Sequence, residues 1–161
     1  MDQPKYSLVE IERRWLVPSE YLGRLEDLPY RTVEDLYIEG TLLRLRKMTD
    51  LSGAVVYKLC KKYGRGDSLA NPITNIYLSE REYLSLAALL GSRVCKRRYG
   101  VAGGSIDVYP GADAVAIFEM DFRSESEAAS YVPPDFVGDE VTDCAQYSGA
   151  VLASSRRFDT E

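Results

Sequence analysis

Side-chain polarity alternates with a period of two along most of the chain, the pattern of half-buried strands. Such runs lie at Leu8–Val17, Tyr30–Glu39, Leu42–Met48, Ala54–Cys60, Ile73–Leu78, Arg93–Val101, Ser105–Tyr109, Val115–Phe122 and Asp139–Thr142. Gly40 and the Gly103-Gly104 pair supply tight turns between runs, because glycine tolerates positive φ. Helical patterns are fewer. Pro18-Ser19-Glu20 opens a short one that ends near Pro29. Ser79 and Glu82 form a capping-box pattern ahead of Tyr83, Leu84, Leu86, Ala87 and Leu90, and Gly91 stops it. Ser124 and Glu127 repeat that pattern before Ala128–Tyr131, where Pro133-Pro134 end it, and a last helix is predicted from Ser148 to Ser155. The stretch Lys61–Pro72, with Gly64, Gly66 and Pro72, reads as a loop. No linker, repeat or low-complexity tract interrupts the series, so residues 1–161 read as one domain.

The charges fall on one face of several strands. Residues two apart on a strand share a face. Glu10, Glu12 and Arg14 therefore oppose Val9, Ile11 and Trp15, and Arg44 and Arg46 oppose Leu43 and Leu45. Lys58 opposes Tyr57 and Leu59, Lys96 and Arg98 oppose Cys95 and Tyr99, and Glu119 and Asp121 oppose Phe118, Met120 and Phe122. One arrangement that accounts for this is an open sheet with its charged face in water. The other is a sheet closed into a barrel with the charged face inside and the apolar face against the helices. The sorting of acids and bases onto different strands favours the second. Neighbouring like charges make sense when a polyanion lies on the bases and a divalent cation on the acids.

Composition narrows the chemistry. The chain has 20 basic and 25 acidic residues and a net charge of −5, which argues against a general binder of double-stranded nucleic acid or of anionic membranes. It contains no histidine, which removes His-based triads, a histidine general base and an imidazole zinc site. A metal held by oxygen ligands alone would be Mg²⁺ or Mn²⁺. Cys60, Cys95 and Cys144 lie far apart without metal-ligand spacing and read as reduced structural thiols of a cytoplasmic protein. No signal peptide or membrane-spanning run is visible. A homodimer is left open.

The run Glu10-Ile11-Glu12-Arg13-Arg14 resembles the ExExK signature of the CYTH superfamily, the triphosphate tunnel metalloenzymes. Arg44-Leu45-Arg46 resembles the RxR strand of that family, and Tyr57-Lys58-Leu59 its TxK-type strand with Tyr at the usual Thr. Lys96-Arg97-Arg98-Tyr99 is similar to its KxR strand, Ile106-Asp107-Val108-Tyr109 to its aspartate-containing hairpin and Glu119-Met120-Asp121-Phe122 to its ExE strand. Gly138-Asp139-Glu140-Val141-Thr142, Tyr147-Ser148 and Val151-Leu152-Ala153 resemble its terminal segment. The ordered set covers roughly residues 6–153. Arg14 stands at the family's Lys and Asp121 at its Glu, and Asn71–Leu78 carries no acid where several triphosphatases have Glu. Asn75 and Ile73 occupy the places where those acids are expected.

The resemblance implies an α+β fold, a closed eight-stranded antiparallel β-barrel that forms a triphosphate tunnel, with helices packed outside. It implies a metal-dependent hydrolase of small triphosphates, with inorganic triphosphate the first choice, and a small triphosphate or polyphosphate as its ligand. Arg14, Arg44, Arg46, Lys58, Lys96 and Arg98 would bind phosphate oxygens, and Glu10, Glu12, Glu119 and Asp121 would hold Mg²⁺ or Mn²⁺. Glu10, Glu12, Arg14 and Lys58 would form the catalytic set. The alternative is a non-catalytic module that binds triphosphate, polyphosphate or a nucleotide, with a class IV adenylate cyclase behind it. Lys61, Lys62 and Arg65 read as solvated loop charges or guards of a tunnel mouth. Asp107 either orients a tunnel arginine or sits in its hairpin.

Overall fold

The computed structural model describes residues 3–64, 69–111 and 114–155. Eight strands follow one another: β1 (Leu8–Leu16), β2 (Tyr30–Ile38), β3 (Leu43–Thr49), β4 (Val55–Lys62), β5 (Ala70–Leu78), β6 (Gly91–Val101), β7 (Gly104–Tyr109) and β8 (Val115–Asp121). They close into an antiparallel barrel in the order β1-β5-β4-β3-β2-β6-β7-β8. The helices α1 (Glu80–Ala87), α2 (Glu125–Ser130) and α3 (Gly149–Ser155) lie outside it, with a 3₁₀ turn at Ser19–Leu25.

The alternation read from the sequence sets the two faces of the wall. On β1, Ile11 and Trp15 point outward. Trp15 joins Val17, Leu25, Tyr99, Ile106, Ala116 and Phe118 in a buried cluster between the barrel and the segments around it. Ile11 packs with Phe122 and with Ala128 of α2. The capping box expected at Ser79 is present: its side chain accepts from the Glu82 N–H, and the Glu82 carboxylate accepts from the Ser79 N–H at 2.7 Å. Ser124 caps α2 in the same way, accepting from the Glu127 N–H at 3.1 Å.

Two local expectations shift. Lys61, Lys62 and Ala70–Pro72 belong to strands rather than to a loop. Lys61 and Lys62 pair with Thr74 and Ile73, while Ala70, Asn71 and Pro72 pair with Ile11, Glu10 and Val9 of β1. Arg65 lies outside the described residues. The run Asp139–Thr142 makes one bridge, Trp15 to Glu140, instead of a ninth strand. Its cause is the course of β1, which pairs with β5 through Ile11 and with β8 from Glu12 onward. The edge that β5 leaves open is taken by this segment. Gly138 N–H donates to Leu16 O at 2.7 Å, Leu16 N–H to Asp139 O at 2.9 Å, Val141 N–H to Arg14 O at 2.8 Å, and Arg14 N–H to Thr142 Oγ1 at 3.0 Å.

One end of the lumen is apolar. Val94, Tyr109 and Ile117 form a buried cluster with Leu152 and Ala153 of α3, and Leu16, Tyr37 and Val115 pack around it. The residues at the start of α3 line the same interior as the charged groups. The approach is close: a Cβ added at Gly149 would fall 2.0 Å from the Tyr37 hydroxyl, so a larger residue there would have to displace the end of that side chain.

Candidate functional site

The inward face of the barrel encloses a cavity of about 540 Å³. Its wall carries Arg14, Arg44, Arg46, Lys62, Lys96 and Arg98 together with Glu10, Glu12, Glu119 and Asp121. Arg98 and Ser105 also border a second hollow of about 570 Å³ on the side of Tyr30, Arg31 and Leu51.

Two buried aspartates organise the bases. Asp35 of β2 stands opposite Arg46 of β3 and accepts two of its guanidinium N–H groups, at 2.6 and 2.7 Å. Burial opposes its ionisation, but Arg46, Arg44 and Lys96 outweigh that and hold the carboxyl below its ordinary range. Asp107 of β7 lies fully buried opposite Arg98 of β6. It takes a two-pronged bond at 2.6 and 2.7 Å from Arg98 and an ion pair from Lys96. Here too burial opposes the charge, yet Lys96 and Arg98 hold Asp107 far below the usual carboxylate range. Arg44 differs from the rest. Its Nε is 4.0 Å from Asp35 Oδ1, beyond hydrogen-bond reach, and is buried without an acceptor. Arg44 lines the cavity, and an unsatisfied buried donor is costly unless a ligand completes it.

The acids divide by role. Glu10, Glu12 and Asp121 each offer a carboxylate oxygen, all within 4.8 Å of one another. Burial first, then Glu119 and Glu10, push the Glu12 carboxyl up to about 7, against the pull of Lys62 and Arg14. Asp121 is raised by burial, Glu10 and Glu119. Three carboxylates crowded in this way suit a hard divalent cation such as Mg²⁺ or Mn²⁺, whose charge would relieve the repulsion. Glu119 stands apart from them. It accepts from Arg98 at 2.8 Å and from Arg14 at 3.2 Å, and although burial and Asp107 push it up, Arg98, Lys96 and Arg14 keep it below its ordinary range. Arg14 lies between Glu119 and Glu12, 3.7 Å from the latter.

Of the residues expected from the sequence, all but Lys58 line the cavity. Lys58 shares the inward face, opposite Arg46, but its ammonium lies 5.1 Å over the ring of Tyr77. Lys62, expected as a solvated loop charge or a guard of the tunnel mouth, lies in the strand wall of the cavity and pairs with Glu10 at 2.6 Å. Asp35, Lys62 and Asn71 are the interior residues that sequence reasoning missed. The equal spacing of Lys58, Cys60 and Lys62 along one strand face is the signal that could have found Lys62. On β5, Ile73 and Asn75 pair with Lys62 and Cys60 on that same face, so the strand brings no acid inward.

No protein-family model matches the chain. It is 31% identical over 159 residues to an inorganic triphosphatase of Nitrosomonas europaea, an alignment that covers 92% of this chain and 99% of that protein. Two solved structures resemble it over nearly their whole length. One is the inorganic triphosphatase NE1496, with a TM-score of 0.55 and 27% identity over 89% of this chain and 97% of that one. The other, described as the hypothetical protein NE1496, gives a TM-score of 0.57 and 25% identity over 92% and 99%. The chain therefore belongs to the family of the Nitrosomonas europaea inorganic triphosphatase.

Proposed function

We propose that the protein is a divalent-metal-dependent triphosphatase of the CYTH type that hydrolyses a small linear triphosphate, inorganic triphosphate first, inside the barrel. The observation that carries this reading is the pairing of one wall with another in a single cavity. Arg44, Arg46, Lys96 and Arg98 face a triad of carboxylates, and Arg44 holds an unused buried donor. Three free cysteines fit a reducing, cytoplasmic setting.

Catalysis of phosphoryl transfer is mostly positioning and charge stabilisation. Asp35 and Asp107 fix the guanidinium planes of Arg46 and Arg98 before substrate arrives, so little reorganisation is left for the reaction itself. Arg44, Arg46, Lys96 and Arg98 would clamp the phosphate chain, and Arg14 would reach its end nearest the acids. Glu10, Glu12 and Asp121 would hold Mg²⁺ or Mn²⁺, which supplies charge neutralisation and an acidified water. The ammonium of Lys62, now on Glu10, would be freed toward a phosphate oxygen once that carboxylate is otherwise engaged.

Arg44→Ala should weaken triphosphate binding by roughly 1.5–3 kcal/mol, the value of one charge-assisted contact, and orthophosphate binding far less. Calorimetric titration of both anions checks this. A phosphate-release assay over inorganic triphosphate, thiamine triphosphate and ATP, each with Mg²⁺, Mn²⁺ or chelator, tests the activity itself. Turnover that requires metal and is fastest on inorganic triphosphate is expected. Tight binding without turnover of any of the three would favour the second reading, a non-catalytic triphosphate binder, for which the acid-free inward face of β5 speaks.

A further inference from the structure

Asn71 of β5 stands directly opposite Glu10 of β1 and lines the same cavity. Its residue exposure is 6%, and its side-chain Oδ1 is buried without a hydrogen-bond donor. Side chains opposite one another on antiparallel strands have Cβ atoms about 5 Å apart, so the amide reaches the acid triad that Glu10 belongs to. The ammonium of Lys62 does not serve it. Lys62, one step along the same face of the β4–β5 pair, bonds Glu10 instead. A buried carbonyl oxygen with no donor is rare in a folded protein and calls for an unseen partner. Beside three carboxylates, a positive ion is the partner that fits, because it answers the acids and the amide together and an amide oxygen is a normal ligand of hard cations.

We propose that Asn71 Oδ1 is a fourth protein ligand of the divalent cation held by Glu10, Glu12 and Asp121. This assignment rests on the metal-dependent reading above. The amide adds an oxygen without adding a charge, so it fixes the cation between β1 and β5 without increasing the repulsion among the acids. It also gives β5 a part in the site although that strand brings no carboxylate inward.

Titration of Mn²⁺ alone into the wild-type, Asn71→Leu, Asn71→Asp and Glu12→Gln proteins, followed by calorimetry and melting, tests the assignment. Asn71→Leu should weaken Mn²⁺ binding by about tenfold or more, as loss of a ligand does. Its metal-free melting temperature should stay at or above that of the wild type, since the unsatisfied oxygen is gone. Asn71→Asp, which keeps an oxygen in place, should bind Mn²⁺ at least as tightly as the wild type. If Asn71→Leu binds like the wild type while Glu12→Gln loses the ion, the Asn71 assignment falls and the metal reading stands. If Asn71→Asp is weakened as much as Asn71→Leu, the assignment falls too, whatever the folding of the leucine variant. Failure of the wild type to bind Mn²⁺ would remove both.

Discussion

Glu12→Gln should lower metal-dependent triphosphate hydrolysis by at least about a hundredfold while making the metal-free protein more stable at neutral and higher pH. The two effects share one cause. Burial and the neighbouring Glu119 and Glu10 lift the Glu12 carboxyl from its ordinary 4.5 to about 7. A folded value above the unfolded one means that the native state holds this proton more tightly. The contribution of Glu12 to stability is therefore most favourable below pH 4.5, falls as pH rises through 7, and is lower by about 3 kcal/mol once Glu12 is ionised in both states. Glutamine keeps the shape and removes that penalty. Melting curves of the metal-free proteins should separate at pH 8 and converge near pH 5. Equal melting temperatures at both pH values would contradict the crowding of carboxylates. The same proton competes with the metal, so Mn²⁺ affinity of the wild type should rise with pH across 7 and that dependence should flatten in the variant.

Asp107→Asn should be the most destabilising single-atom change in the lumen. The carboxylate is fully buried and neutralises both Lys96 and Arg98. Removing its charge leaves the buried Lys96 ammonium without its carboxylate and the half-buried Arg98 with Glu119 alone, a loss of about 3–5 kcal/mol, as for a broken buried pair. Its direction with pH is opposite to that of Glu12. The Asp107 carboxyl lies below its unfolded value, so its contribution is present above pH 4 and disappears as pH falls through the acid range. Urea unfolding at pH 7 measures the loss. Triphosphate, whose oxygens can take over the two cations, should restore much of it by mass action, and orthophosphate should restore less. A variant that unfolds like the wild type, or that triphosphate fails to rescue, would mean that the Lys96–Arg98 pair does not face the substrate.

The barrel wall was largely legible in the sequence because strand alternation is a local property. Glu10, Glu12 and Arg14 had to share a face once Ile11 and Trp15 were outside, and the capping pattern at Ser79 and Glu82 needs only four residues. What stayed hidden depends on pairing between distant segments. Asn71 and Lys62 sat in a stretch punctuated by glycine and proline; the strand character of Asn71 comes from β1, some sixty residues upstream, and that of Lys62 from its pairing with Ile73 of β5. Glu34 and Asp35 are adjacent acids, and only the register against β3 decides that Asp35 faces Arg46 inside while Glu34 meets Lys47 outside. Glu119 is a metal ligand in the reading that the resemblance implies, and its surroundings were not legible locally. Its cross-strand neighbour is Arg14, and Arg98 reaches it from β6, so its oxygens are engaged by cations.

Without metal the interior is close to electrically balanced: Arg14, Arg44, Arg46, Lys62, Lys96 and Arg98 meet Glu10, Glu12, Asp35, Asp107, Glu119 and Asp121. A divalent cation tips that balance toward the positive, so metal and triphosphate should each strengthen the binding of the other by the same factor. A crystal structure of the protein with inorganic triphosphate and Mn²⁺, with anomalous scattering collected for manganese, tests the central claim most directly. The account predicts the phosphate chain inside the barrel, in contact with Arg44, Arg46, Lys96 and Arg98, and a manganese peak beside Glu10, Glu12 and Asp121. Triphosphate bound on the outer surface, or manganese held away from those three carboxylates, would contradict it.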